Sequence, residues 1–208
     1  MIGNLISHIG SGQENEMNEA LNVLLTLSRQ YPRLVRPCLA FIRGILDYLD
    51  GFSDSQVRTV FTVFNFLSLG EPDDYIRIVI DKQLFSSVPK YKRMGVIGGV
   101  AMLTYVPVQD HGNILSSQAP AMSQVDQVQA VELLEKLYRV TGHATTRSLL
   151  YDELSVAVQR GELHFMLVEH LSNHVASEFE GAFLIDMEEG KVPDHEILSG
   201  LRPESWLR

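Results

Sequence analysis

Apolar residues recur along this chain at the three- and four-residue spacing that is typical of amphipathic helices. Four early segments show this spacing, and a residue that favours a helix stop follows each of them: Pro32, Gly51, Gly70 and Pro89. Their apolar positions are Met17, Leu21, Leu24 and Leu25; Cys38, Leu39, Ile42, Ile45, Leu46 and Leu49; Val57, Val60, Phe61, Phe64 and Leu67; and Ile76, Val79, Ile80 and Leu84. The pattern predicts four consecutive helices.

Capping signals support these helices and a fifth one. Ser53 followed by Gln56 resembles a capping box, and Asp73 or Asp74 can cap the fourth helix. A mostly apolar segment then predicts a fifth, buried helix from about Lys90 to Tyr105. Further helices are predicted up to Gly142, from about Thr145 to Gln159, and from Leu163 to Phe183.

One stretch interrupts the helical pattern and divides the chain. Residues 107–124 are rich in Pro, Gly, Ser, Asn and Gln, which predicts a flexible loop. We therefore expect helical repeats over 1–106, further repeats over 125–186, and a poorly ordered tail over 187–208. Short linkers and scarce strand patterns predict an all-α, HEAT/armadillo-like α-solenoid of antiparallel helix pairs, with a compact helical bundle as the alternative. Neither end resembles a capping repeat, so we expect an excerpt of a longer protein.

Composition narrows the class of protein. The formal net charge of −9 repels phosphate, so we expect this segment alone to bind DNA weakly. A single cysteine, Cys38, cannot form an internal disulfide and is typical of a reducing compartment. The longest apolar run, Met94 to Val108, is shorter than the ~18 residues of a membrane span. We expect a soluble protein without a membrane partner.

Signatures of catalysis are scarce. The sequence has neither a phosphate-binding G-x-x-x-x-G-K-[ST] loop nor a G-x-G-x-x-G after a strand. His170, His174 and Glu178 could share one helix face and hold a metal ion, but the H-E-x-x-H pattern is absent, which favours a plain polar stripe. We expect no cofactor, no metal site and no enzymatic activity, and a small helical enzyme that uses His170 and His174 is the minor alternative.

The most unusual segment spans residues 77–93, where five basic residues accompany one acid in an acidic chain. The residues are Arg77, Lys82, Lys90, Lys92 and Arg93, with Asp81 as the acid. Such a local excess could contact DNA or an acidic partner, and a solvated face without a partner is the alternative. At about 100° per residue, Lys82 lies off the apolar face of its helix, on the side of Tyr75 and Ile78. These two apolar residues suggest that this side meets a partner chain.

Four stretches in the same order resemble the Fanconi anaemia group D-two family. They are GILDYLDGFSDSQVR, VIDKQLFSSVPKYKRMGVIGGVAML, LLYDELSVAVQRGEL and VASEFEGAFLID, and together they extend from about Gly44 to Asp186. In that family, a lysine followed by Gln-Leu lies shortly before K-Y-K and a glycine-rich apolar helix. By motif position, the resemblance implies that Lys82 is the ubiquitin acceptor.

The resemblance also implies a function. The family consists of large nuclear helical-repeat scaffolds that pair with the paralogous Fanconi anaemia group I protein and encircle DNA. A multi-subunit ligase attaches one ubiquitin, which locks this clamp on chromatin during interstrand crosslink repair, and the family also acts in homologous recombination and meiosis. A generic helical-repeat adaptor for other proteins is the alternative.

Two positions depart from the family pattern. Asp81 stands where the family commonly has a basic residue, and a carboxylate there would favour the non-nucleophilic ammonium form of Lys82. Pro89 stands where the family often has an apolar residue.

Overall fold

The computed structural model describes residues 2–68, 74–104 and 124–183. Of these residues, 87% are helical and none lies in a strand. The α-helices in chain order are α1 (Ile2–Ile9), α2 (Glu14–Gln30), α3 (Pro32–Val35), α4 (Leu39–Ile42), α5 (Asp54–Ser68), α6 (Asp74–Leu84), α7 (Pro89–Leu103), α8 (Gln124–Val140), α9 (Ala144–Gln159) and α10 (Phe165–Phe183). Two 3₁₀ helices, Arg36–Cys38 and Arg43–Gly51, lie on either side of α4. The all-α prediction is confirmed for this part of the chain.

The predicted helix stops and caps agree with most of these boundaries. Ser53 and Gln56 form the predicted capping box, since the Ser53 amide donates to Gln56 Oε1 at 2.8 Å and the Gln56 amide donates to Ser53 Oγ at 3.4 Å. Helix α7 begins at Pro89 rather than at Lys90, because proline at the first helical position loses no hydrogen bond.

The second predicted helix differs from the expected one. Its apolar positions from Cys38 to Leu49 are divided among the first 3₁₀ helix, the short helix α4 and the second 3₁₀ helix. Pro37 lacks an amide hydrogen and interrupts the helix near its start, and Gly44 lowers the helix propensity where the 3₁₀ helix begins. Ile42, Ile45 and Leu49 are nevertheless buried, so the predicted apolar face is correct.

The helices up to Val168 form one compact unit with two layers. In the first layer, α2, α5, α7 and α9 each pack against the next. In the second layer, α1 packs against α2 and α4, while α6 and α8 pack against α7. Consecutive helices that pack across a short connection run antiparallel, so this arrangement confirms the HEAT/armadillo-like stack of helix pairs.

Helix α7 forms the centre of this unit. Every residue from Met94 to Leu103 except Met102 is buried, and α5, α6, α8 and α9 all contact this helix. Three glycines permit the close approach. A methyl group added at Gly95 would lie 2.6 Å from the backbone nitrogen of Leu84 in α6, and one at Gly98 would lie 2.8 Å from the ring of Phe61 in α5. At Gly99 it would lie 2.9 Å from the Leu137 side chain of α8.

Several predictions concern residues that the structure does not describe. The predicted loop over 107–124 lies outside the described residues except for Gln124, which begins α8, and the predicted tail over 187–208 lies wholly outside them. A second compact unit begins at Glu169, and its described part is the remainder of α10, up to Phe183.

We expect Gly95→Ala to destabilise the chain. The added methyl group meets backbone atoms of α6 that cannot move aside as a side chain can, so α6 and α7 must separate. Overpacking of this kind costs about 1–3 kcal/mol, which exceeds the gain of about 1 kcal/mol in helix propensity. Urea unfolding followed by far-ultraviolet circular dichroism measures the change in the free energy of unfolding.

Gly181→Ala is the matched control, because Gly181 is also helical and the added methyl group would meet no side chain or other helix within 4 Å among the described residues, apart from its chain neighbours. This change should leave the stability unaltered or raise it. A Gly95→Ala variant as stable as the unsubstituted chain would show that the close contact of α6 and α7 is not a constraint.

Candidate functional site

Helix α6, which carries Lys82, buries one face against the rest of the unit. Ile76, Ile80 and Leu84 are buried, and this face packs against α7. The helix ends at Leu84, where the amide of Phe85 donates to the carbonyl of Asp81 at 3.0 Å. The packing of α6 thus agrees with the apolar periodicity of its sequence.

Opposite this buried face, α6 and the residue that follows it form an exposed apolar stripe, defined as Tyr75, Ile78, Lys82 and Phe85. At about 100° per residue, these four positions lie opposite the buried face. The fractional exposures are 44% for Tyr75, 64% for Ile78 and 67% for Phe85. Three exposed large apolar residues beside one lysine are more than a plain solvent face requires, so the stripe is suited to contact with another protein.

Lys82 is exposed within this stripe and has no hydrogen bond or ion pair with the described residues. Its amine is therefore free to react or to bind. Among the lysines that the structure describes, Lys90 and Lys136 differ in this respect. Lys90 Nζ donates to the backbone carbonyl of Asp50 at 2.6 Å, and Lys136 Nζ contacts the carboxylate of Asp81 at 2.7 and 2.8 Å.

The contact with Lys136 changes the role that the sequence suggests for Asp81. From the sequence, the carboxylate was expected to favour the ammonium form of its neighbour Lys82. In the structure, Lys136 of α8 binds both carboxylate oxygens of Asp81. Adjacent residues on a helix point about 100° apart, so the Asp81 carboxylate is directed toward α8 rather than toward Lys82.

A second side-chain contact lies on the other flank of α6. The guanidinium carbon of Arg43, in the 3₁₀ helix Arg43–Gly51, lies 4.9 Å from the centre of the Tyr75 ring. This distance is suitable for a cation–π interaction. Neither Arg43 nor Lys136 was a candidate from the sequence, because each is more than 30 residues away from its partner and no local pattern marks such a pair.

The four basic residues predicted to contact DNA or a partner fall into two groups. Arg93 forms an ion pair with Asp54 and Lys90 binds Asp50, so both fasten the start of α7 to the preceding segment. Arg77 and Lys92 have no hydrogen bond or ion pair with the residues that the structure describes. The predicted basic cluster therefore contains two cations, besides Lys82, that bind no other side chain or backbone group of the described residues.

The contacts at the start of α7 shift the acid–base properties of the groups involved. The hydrogen bond from Arg93 lowers the pKa of Asp54, and the same bond raises the pKa of Arg93. The Tyr91 hydroxyl donates to Asp50 Oδ2 at 3.2 Å, which raises the pKa of Tyr91. A depressed aspartate pKa stabilises the fold above the ordinary pKa of the carboxyl group, and this stabilisation is lost as the pH falls through the lowered value.

A cleft lies in the other layer, among α2, α5, α7 and α9. It has a volume of about 230 Å³, and its wall includes Arg58 and Glu153. The Arg58 guanidinium donates to both carboxylate oxygens of Glu153, at 2.8 and 2.5 Å, and this contact raises the pKa of Arg58. The pair joins α5 to α9 and serves the packing of this layer.

The described residues offer no grouped metal ligands. His174 Nε2 lies 3.5 Å from Glu178 Oε1, as expected for residues one helical turn apart. No group of three or more His, Cys, Asp or Glu side chains suited to a metal ion occurs in 2–68, 74–104 or 124–183. Within the same ranges, no helix combines the length and the hydropathy that crossing a membrane requires.

Known proteins match nearly the whole chain. A family model described as "Fanconi anaemia protein FancD2 nuclease" matches residues 1–198. The Fanconi anemia group D2 protein homologs of Mus musculus and Rattus norvegicus are each 33% identical to this chain, over 195 and 205 residues, which is 89% and 93% of it. The Fanconi anemia group D2 protein of Gallus gallus is 29% identical over 199 residues, or 88% of this chain.

The alignments cover only a small part of these relatives. They span 13% of the mouse protein, 14% of the rat protein and 13% of the chicken protein, so the chain corresponds to one segment of a much longer sequence. The range matched by the family model contains all the described helices, among them α6 with Lys82. The chain belongs to the FancD2 family of Fanconi anaemia proteins.

Proposed function

We propose that this chain is the ubiquitin-acceptor segment of a DNA-repair scaffold in the Fanconi anaemia pathway, and that a single ubiquitin is attached to Lys82. Membership of the FancD2 family supports the role in DNA repair. The observation that carries the choice of Lys82 is its position as an exposed lysine, free of partners among the described residues, within the apolar stripe of α6.

The chemistry requires an accessible lysine. The neutral amine of Lys82 attacks the carbonyl of the thioester that links the ubiquitin C-terminus to a cysteine of the conjugating enzyme. A nitrogen–carbon bond forms, the carbon–sulfur bond breaks, the cysteine leaves as a thiolate, and the amine loses a proton. Because Lys136 binds the Asp81 carboxylate, that negative charge is directed away from the reacting amine.

The stripe also suggests how a partner binds. We propose that the paralogous Fanconi anaemia group I protein covers Tyr75, Ile78 and Phe85, since these exposed apolar side chains gain free energy when a second chain removes them from water. Such a partner shields Lys82 in the resting heterodimer. DNA then favours a state in which the lysine is accessible to the ligase.

DNA binding belongs to the assembled heterodimer in this proposal. The net charge of −9 opposes tight binding by this segment alone. Arg77 and Lys92 are the best-placed contributors, because Lys90 and Arg93 already bind Asp50 and Asp54. The clamp acts in the nucleus, on chromatin after DNA damage, in interstrand crosslink repair, homologous recombination and meiosis.

The proposal assigns no catalytic residue to this chain, although the family description includes the word nuclease. Many nucleases hold metal ions with grouped carboxylates, and the part of the chain that the structure describes offers no such group. A generic helical-repeat adaptor is the second candidate, and the apolar stripe favours it equally. The repair scaffold and the adaptor differ in the role of Lys82. Partner binding by an adaptor would not depend on the modification of Lys82.

We expect Lys82→Arg to abolish the attachment of ubiquitin in a reconstituted ligase reaction. Arginine keeps the positive charge but stays protonated, so it cannot supply the neutral nucleophile. The double variant Lys90→Arg and Lys92→Arg keeps both charges as well and should react within about twofold of the unsubstituted rate. Mass spectrometry of the product identifies the modified lysine.

Adding duplex DNA to the reaction tests the shielding by the partner. With the group I protein present, DNA should accelerate modification of Lys82. Unchanged modification of the Lys82→Arg variant would show that another lysine is the acceptor. Equal rates with and without DNA would leave Lys82 as the acceptor but would contradict the shielding.

We also expect Arg77→Glu combined with Lys92→Glu to weaken DNA binding by the heterodimer and to reduce its salt dependence. Each phosphate contact contributes about 0.9 to the slope of log affinity against log salt concentration, so the slope should fall by up to about 2. Fluorescence anisotropy with labelled duplex DNA at several salt concentrations measures both effects.

The matched control is Arg29→Glu combined with Arg160→Glu, which changes the net charge equally on exposed residues of the other layer. This control should affect DNA affinity much less. Equal losses in the two double variants would mean that only the total charge matters and that Arg77 and Lys92 have no local role.

A further inference from the structure

Two side-chain contacts restrain helix α6 on either side of Lys82. On one flank, the Tyr75 ring lies beneath the Arg43 guanidinium, and on the other flank Asp81 is bound by Lys136. At about 100° per residue, Tyr75 and Asp81 lie about 120° apart around the helix, and Lys82 lies between them. The contacts therefore bracket the lysine.

These contacts oppose a specific motion. Helix α6 packs closely against α7, at Gly95, but its neighbours in its own layer reach it through long side chains. A helix that is held mainly along one line can roll about its axis. A roll of about 20° moves a side-chain tip that lies about 6 Å from the axis by about 2 Å.

The contact between Asp81 and Lys136 is the stronger of the two restraints. Lys136 Nζ lies 2.7 and 2.8 Å from the two carboxylate oxygens, distances that are typical of charge-assisted hydrogen bonds. The side chains are only 26% and 39% exposed, for Lys136 and Asp81, so water screens the pair less than it screens an ion pair in open solvent. The pair joins α6 to α8 across 55 residues of sequence.

We propose that Lys136 is a positioning residue for the modification of Lys82. Through Asp81 it fixes the rotation of α6 and directs the Lys82 amine outward, toward the thioester of the conjugating enzyme. The inference rests on the proposed function, because positioning has a purpose only if Lys82 is the acceptor. It adds a residue in α8 that neither touches ubiquitin nor belongs to the acceptor motif.

Three variants test the proposal in the full chain with its heterodimer partner. Lys136→Met removes the charge and keeps an unbranched side chain, and Asp81→Asn removes the carboxylate with little change in shape. Asp81→Lys combined with Lys136→Asp reverses the pair and restores the attraction. Asp152→Asn and Arg139→Gln are the controls, since both residues are exposed and their side chains have no bond with the described residues.

The first measurement is the steady-state rate of ubiquitin transfer to Lys82. Each single variant should lower kcat by about threefold to tenfold, because misplacement of a reacting group by a few ångströms costs rate. KM should stay unchanged, since the surfaces that bind the ligase are unaltered. The reversed pair should recover most of the loss, and the controls should react at the unsubstituted rate.

The second measurement needs no ligase. Hydrogen–deuterium exchange should show about twofold to fivefold faster exchange of the α6 amides in Lys136→Met and Asp81→Asn, and normal exchange in the reversed pair. Limited acylation of Lys82 by a water-soluble N-hydroxysuccinimide ester, measured on the full chain before its partner is added, should be equal in all forms, because the amine is exposed in the unpartnered chain. Equal acylation separates a loss of positioning from a loss of chemical reactivity.

The outcomes distinguish a failure of the positioning role of Lys136 from a failure of Lys82 as the acceptor. If the unsubstituted chain is modified at Lys82 but the single variants keep the normal kcat, the positioning role is wrong, whatever the exchange rates show. The same holds if the reversed pair fails to recover activity while the α6 amides exchange normally. If even the unsubstituted chain is not modified at Lys82, the proposed function itself fails.

Discussion

The close approach of α7 to its neighbours is the constraint on which this structure depends. Helix α7 is buried almost throughout, and it must accept helices from both layers. Side chains at Gly95, Gly98 and Gly99 would collide with α6, α5 and α8, so their absence lets three helices approach. The contact at Gly95 is the least tolerant, because the neighbouring atoms belong to the α6 backbone. The close approach of α6, the helix that carries Lys82, thus depends on a glycine in α7.

The helices within each of the two layers are held together by different kinds of contact, and this difference affects the surroundings of Lys82. Helices α2, α5, α7 and α9 pack directly on one another in sequence. The layer that contains α6 is joined laterally by Arg43 with Tyr75 and by Lys136 with Asp81. Lys82 therefore lies on a helix that packs against α7 and is restrained by contacts at Tyr75 and Asp81. The same geometry leaves the apolar stripe open to a partner chain.

Much of the candidate site could be predicted from the sequence because the information is local. Helical periodicity places Ile76, Ile80 and Leu84 on the buried face, and the same angle puts Lys82 on the opposite side with Tyr75 and Ile78. For the basic cluster, the sequence showed only that residues 77–93 contain an excess of basic residues. Its division into residues bound by Asp50 and Asp54 and residues without such partners depends on contacts about 40 residues apart in sequence.

The sequence by itself therefore determined the helix pattern, the ends of most helices, the buried face of α6 and the motif that singles out Lys82. Each of these depends on residues within a few turns of one another, where side-chain spacing and capping decide the outcome. The tertiary structure alone decided that the Asp81 carboxylate binds Lys136 and is directed away from Lys82, and that Arg43 lies over Tyr75. These contacts join separate helices, and only the packing of those helices brings the partners within reach.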